Sequence, residues 1–269
     1  MQALREPLAE IVRGHELLRE LTLRELRVRY KQTLLGAAWA LFTPALMMVV
    51  FSTIFARLRG QGNDLDTFGA PYAIFVYCGL LPWQWFAGAM KNCAESLTRN
   101  SRLVSKIYMP REVFPLSSVL SGLADFAVAS TLLGVLMLWH RFPLPLAGLA
   151  WLPLVVGVQF LLVSGLGLLL AMANLFYRDV KYVLEVVLLV GMFATSVVYP
   201  LKAEHLGGWT NLLALNPMTH LIDAYRQTLL GGTAPNLAGF AYAAAFAAAL
   251  FLYGLKKFHE CEFQFAERV

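Results

Sequence analysis

Residues 23–57 read LRELRVRYKQTLLGAAWALFTPALMMVVFSTIFAR, and the change of character inside this stretch decides the fold. Up to Gln32 it is densely charged, whereas Gly36 to Ala56 runs for 21 residues without a charge. In a helix, Arg24, Arg27 and Lys31 share one face, because spacings of three and four residues return to the same side. That face suits anionic headgroups, and Leu23, Leu26 and Tyr30 are left for acyl chains or protein. At about 1.5 Å rise per residue, the uncharged part just crosses a hydrocarbon core of roughly 30 Å. The stretch predicts an interfacial helix that turns and passes into a membrane.

Working outward, the rest of the chain agrees. Of 269 residues, 58% are hydrophobic and 14% charged, too apolar for a soluble domain of this size. The formal charge of +5 collects in loops between apolar runs, which points to orientation in a bilayer and away from nucleic acid. Cys78, Cys93 and Cys261 are widely spaced and form no metal-binding pattern. The N-terminal segment is too charged to read as a cleaved signal peptide. It places Leu4, Leu8, Ile11 and Val12 at helical spacing, with Glu20–Arg24 and Glu25–Arg29 as four-residue ion pairs.

Six spans are expected, at about 36–56, 72–90, 113–139, 147–173, 183–201 and 235–255. Residues 1–35 form a cytoplasmic amphipathic segment, 36–257 the transmembrane domain and 258–269 a cytoplasmic tail. The second span contains Pro82, tolerated when neighbouring helices satisfy the freed backbone groups. In the fourth, Ser164, Gly167 and Ala171 permit close helix contact, and Ala241, Ala245 and Ala249 read as a small-residue face on the last span. Asn216 and Pro217 look like an N-cap and first turn, followed by the apolar stripe Met218, Leu221, Ile222, Tyr225 and Leu229. A helix over 217–230 is about 21 Å long, so it is expected in or on the outer leaflet as a re-entrant hairpin.

Charge distribution tests this count with residues the spans did not use. With six spans, 17 of the 22 Lys and Arg fall on the side of the termini and five on the other, which makes both termini cytoplasmic.

No catalytic constellation is present: there is no HExxH or GxSxG, and no Lys follows a Gly, so a phosphate-binding P-loop is absent. Asp125 is the one acid near the middle of a span, costing roughly 2.5–3.5 kcal/mol there on an insertion scale. It reads either as an ion relay or as a paired carboxylate that fixes packing. Trp39, Phe42, Phe51, Phe55, Phe193 and Tyr199 are candidates for lining a pore and stacking on sugar rings, or for core and lipid contact. The loop NSRLVSKIYMPREVFP sets Arg102 and Lys106 four residues apart before Tyr108, Met109 and Arg111. An apolar knob flanked by cations fits a cleft on another protein; the alternative is an ordinary basic loop touching headgroups.

RELRVRYKQTLLGAAWALFTPALMMVVFSTIFARL and NLLALNPMTHLIDAYRQTLLGG resemble the membrane subunits of bacterial ABC-2 type exporters for O-antigen, capsule and teichoic-acid polymers. The first is similar to that family's RxRYxxxxLGxxWxxxxP pattern and the second to its NP-containing segment, and the likeness covers nearly the whole chain. It implies an all-α permease in the bacterial inner membrane, acting as a homodimer on lipid-linked polysaccharide. Two separate ATP-binding cassette subunits would carry ATP and Mg, and this chain would bind no cofactor. Arg24, Arg27 and Lys31 would belong to a gate helix, Arg99 to Arg111 to the ATPase-coupling segment with Arg102, Lys106, Tyr108, Met109 and Arg111 at the contact, and 209–230 to re-entrant helices. O-antigen is the expected cargo. The rival classes are an ion-coupled carrier of a small solute that uses Asp125, and a membrane-bound glycan polymerase or ligase.

Overall fold

The computed structural model describes residues 13–31, 33–59, 67–106, 109–143, 145–199 and 213–268. Among these residues the chain is helical, without strands. In order the helices are α1 (His15–Tyr30), α2 (Ala38–Arg59), α3 (Tyr72–Arg99), α4 (Ser101–Lys106), α5 (Val113–Trp139), α6 (Leu146–Leu149), α7 (Leu152–Phe176), α8 (Val180–Phe193), α9 (Pro217–Leu229) and α10 (Leu237–Arg268).

Among the described residues, four segments are long and apolar enough to cross a membrane: Tyr72–Arg99, Val113–Trp139, Leu146–Phe176 and Leu237–Glu262. The first expected span is the helix α2, apolar over Ala38–Ile54. The fifth is helical only to Phe193 and continues as turns. At 14 residues, α8 is about 21 Å long and does not by itself cover a hydrocarbon core. The chain nevertheless passes from one end of α3 to the other over residues 178–198. Arg178 and Lys181 share a cleft with Arg99, while the Tyr72 hydroxyl donates to the Val198 carbonyl at 2.8 Å.

α3 is the central element because its residues are buried along most of their length. α5 runs antiparallel to it: Tyr77 donates to Ala129 O at 3.0 Å and Trp85 Nε1 to Val119 O at 3.2 Å. α7 runs parallel to α3. Gln159 Nε2 donates to Pro82 O at 2.8 Å, which places an amide beside the predicted proline, and Asn174 Nδ2 donates to Ala94 O at 2.8 Å. Ser164, Gly167 and Ala171 are all buried, as their spacing predicts.

The small-residue face of α10 is not the expected one. Ala241, Ala245 and Ala249 are exposed, whereas Ala243, Ala247 and Gly254 point inward. A Cβ on Gly254 would stand 2.7 Å from Gly165 O, and one on Gly165 would stand 2.7 Å from the Phe251 N, so backbone approaches backbone here. In AYAAAFAAAL several helical faces are made of alanine, and only the partner selects among them.

α9 is a bundle component. Asn216 caps it, its Oδ1 accepting from Met218 N at 3.0 Å, and Met218, Leu221, Ile222 and Tyr225 are buried. Beside them Arg226, 1% exposed, stacks on Phe75 with its guanidinium carbon 3.7 Å from the ring centre. It donates to the carbonyls of Ser196, Val197 and Tyr199, so the turn after α8 is held by a buried cation that satisfies its backbone. Residues 200–212, which include the start of the segment 209–230 expected to be re-entrant, lie outside the described residues.

Candidate functional site

α1 is seated on protein. Its Leu17, Leu18 and Leu21 pack with Leu97, Val104 and Phe258, and its following turns lie along α5. The polar side chains of those turns then find partners on α3 and α5. Arg24 donates to Asn100 Oδ1 at 2.6 Å. Glu25 accepts from Ser118 Oγ at 3.0 Å, from Ser121 Oγ at 3.1 Å and from Arg99 at 3.2 Å. Arg29 pairs with Asp125 and also donates to Ser121 Oγ at 3.1 Å, and the Tyr30 hydroxyl donates to the second Asp125 oxygen. Glu25 and Arg29 therefore do not form the expected intrahelical pair; each reaches across to another helix, where partial burial strengthens its contact.

The Arg29 and Asp125 side chains are 29% and 24% exposed. Burial, then the hydrogen bond to Asp125, push the Tyr30 phenol up to about 12, so it serves as a neutral donor at ordinary pH. Asp125 is a paired carboxylate in this structure, held by Arg29 and Tyr30. Its partners come from α1, outside the spans, and lie 95 and 96 residues away in sequence. Arg29 and Tyr30, a cation and a phenol adjacent in RVRYK, were the signal.

These residues form one wall of a cavity of about 390 Å³ between α1, α2, α3 and α5. Trp39, Thr43 and Pro44 of α2 face Gln84, Trp85 and Asn92 of α3 across it, with Phe126 of α5 beside Asp125. The lining joins hydrogen-bonding groups to aromatic faces. It suits an amphiphile with a polar or anionic head more than a bare ion, since Arg29 already neutralises Asp125.

The other predicted residues are scattered. Arg24, Arg27 and Lys31 are exposed and border a shallow groove along α1. Trp39 and Phe42 are half exposed on α2, their rings edge to face at 5.6 Å. Phe51 packs against the core, and the Phe55 side chain lies outside the described residues. Phe193 is exposed near the end of α8, and its carbonyl accepts from the Tyr199 hydroxyl at 2.7 Å. Among the five whose side chains are described, Trp39 pairs with Phe42 and Tyr199 with the Phe193 backbone, while Phe51 packs on the core. In the expected coupling segment, Arg102 is exposed on α4, while Met109 packs partly buried against the cluster containing Leu97 and Phe258. Arg111 is tied to α10, donating to the Glu262 carbonyl. Tyr108 and the Lys106 side chain lie outside the described residues.

Comparison with known proteins gives this arrangement a context. The ABC-2 type transporter family matches residues 16–230. The chain is similar to the O-antigen export system permease protein RfbA of Myxococcus xanthus, 30% identical over 266 residues that cover 97% of this chain and 98% of that protein. A protein of the same name from Klebsiella pneumoniae is 27% identical over 258 residues, 94% of each chain. The polysialic acid transport protein KpsM of Escherichia coli is 23% identical over 239 residues, 87% of this chain and 89% of that one. The family match takes in α1, the clamp to Asp125, the cavity and α9, and the chain accordingly belongs to the ABC-2 type transporter family of membrane proteins.

Proposed function

We propose that this chain is the permease subunit of an ATP-driven exporter that moves a lipid-linked polysaccharide, O-antigen in the first instance, across the bacterial inner membrane. The observation that carries the reading is the end-to-end similarity to an O-antigen export permease, 97% of one chain against 98% of the other. A secondary support is the cavity beside α1, whose mixed lining suits an amphiphilic headgroup better than a small ion.

The subunit works as a homodimer with two separate ATP-binding cassette subunits, which hold ATP and Mg; this chain is not itself an enzyme. Exposed apolar residues along α2 and α8, among them Leu46, Val50, Val187 and Val190, give a second copy and the acyl chains a surface to cover. Both termini are cytoplasmic and six segments cross. α2 and the stretch 180–199 make the two crossings that length alone does not establish, and the passage of residues 178–198 between the two ends of α3 supports the second. α1 acts as the gate helix and 101–111 as the seat for the ATPase.

The test is to purify the tagged chain in mild detergent with the ATP-binding cassette protein that accompanies it, reconstitute both in vesicles and supply a lipid-linked glycan. The reading requires a complex with equal numbers of the two chains and glycan movement that needs ATP. Movement by this chain alone, driven by an ion gradient, would refute it and restore the carrier.

A further inference from the structure

Glu112 caps α5 by position, is 0% exposed, and has no hydrogen-bond partner for either carboxylate oxygen among the described residues. Leaving a carboxylate buried without a donor is expensive, so some cation is called for. α10 presents His259 and Glu262, three residues apart on one face, directly opposite. His259 Nδ1 stands 3.5 Å from Glu112 Oε1 and 3.6 Å from Glu262 Oε2, and it too lacks a hydrogen-bond partner.

Those separations are too long for an N–H···O bond, about 2.7–3.2 Å. They match the edge of a coordination polyhedron, because two ligands about 2.0–2.1 Å from a tetrahedral Zn²⁺ stand roughly 3.4 Å apart. The ligand atoms of all three residues lie within 4.8 Å of one another. We propose that Glu112, His259 and Glu262 are a binding site for a divalent transition-metal ion of the Zn²⁺ type, joining α10 to the segment that precedes α5.

One imidazole and two carboxylates form a borderline donor set that takes Zn²⁺ or Mn²⁺ and disfavours Cu(I). Three protein ligands leave a position for water or for a group from a bound partner. Burial raises the Glu112 carboxyl above its ordinary range, the Glu262 charge adding to the effect and His259 opposing it. Arg111 stands behind the site, donating to the Glu262 carbonyl, with its Nε 4.0 Å from that carboxylate. It orients the acid as an outer partner of a ligand does.

The test uses the full chain in complex with its ATPase, purified on a histidine-free tag, stripped with chelator, and dialysed against Zn²⁺. Metal content by mass spectrometry should be about one Zn²⁺ per chain. Affinity should fall at least tenfold in His259→Ala and in Glu262→Gln and stay unchanged in Cys261→Ser, which controls for the nearby thiol. Co²⁺ loaded instead should give the intense visible bands of a four-coordinate site, absent in His259→Ala. Wild-type protein with no stoichiometric metal, or His259→Ala that binds as tightly as wild type, overturns the proposal. The wild-type measurement decides even where a variant folds poorly.

Discussion

Asp125→Asn keeps the shape of the side chain and removes the charge that Arg29 and Tyr30 hold. With side chains 29% and 24% exposed, the ion pair stands between two limits. An exposed pair contributes about 0–1 kcal/mol, and breaking a buried one costs roughly 3–5 kcal/mol. Discounted for solvent access, and including the weaker acceptor left to Tyr30, the loss to α1 docking is about 1.5–2 kcal/mol. At about 1.4 kcal/mol per factor of ten, undocked α1 becomes roughly 10- to 30-fold more populated. Amide hydrogen exchange read by mass spectrometry over 15–30 should show that acceleration while α3 and α7 keep their protection. Arg29→Ala should produce a similar change and add little to Asp125→Asn, because the two substitutions remove one interaction. ATP-driven export should persist. Unchanged exchange in Asp125→Asn, or full additivity with Arg29→Ala, would show that the clamp does not hold α1.

Arg226→Leu should be the most damaging single change outside the membrane-entry region. It orphans the three carbonyls that Arg226 serves and should cost more than about 3 kcal/mol, read as a large drop in the detergent melting temperature. Arg226→Lys should rescue little, because an ammonium has no flat face to lay on Phe75. Gly165→Leu should loosen α10 from α7 and reduce the folded yield, since even a Cβ at that position meets the Phe251 backbone at 2.7 Å. Substituting exposed Arg102 by Glu should leave the melting temperature within about 2 °C, as surface changes do, and should weaken association with the ATPase about tenfold in a pull-down titration.

Features that depend on a few neighbouring residues were legible in the sequence. The Asn216 cap, the stripe along α9 and the buried small residues of α7 all follow from local spacing and appear as expected. Within the expected fifth span the end of the helix was not legible, because hydropathy reports where a side chain prefers to be, not how the backbone runs. Thr195 to Val198 are buried, yet they form turns in which Arg226 serves the Ser196 and Val197 carbonyls and the Tyr72 hydroxyl that of Val198. The clamp was half legible: the acid was visible, but its partners lie 95 and 96 residues away in sequence, beyond the reach of any periodicity. Arg226, counted as a loop charge, is the largest fully buried side chain described. Only a partner ring and three carbonyls, none of them near it in sequence, make that placement affordable.

The contact between α7 and α10 has a bearing on biogenesis. The two helices run in the same direction, Val158 and Leu162 sharing a cluster with Ala243 and Ala247, and Phe176 meeting Phe265 at 6.2 Å. Two parallel neighbours require the intervening polypeptide to cross back before the second can take its place. The strip of α7 around Gly165 that receives α10 therefore stays uncovered until α10 itself has been synthesised and inserted.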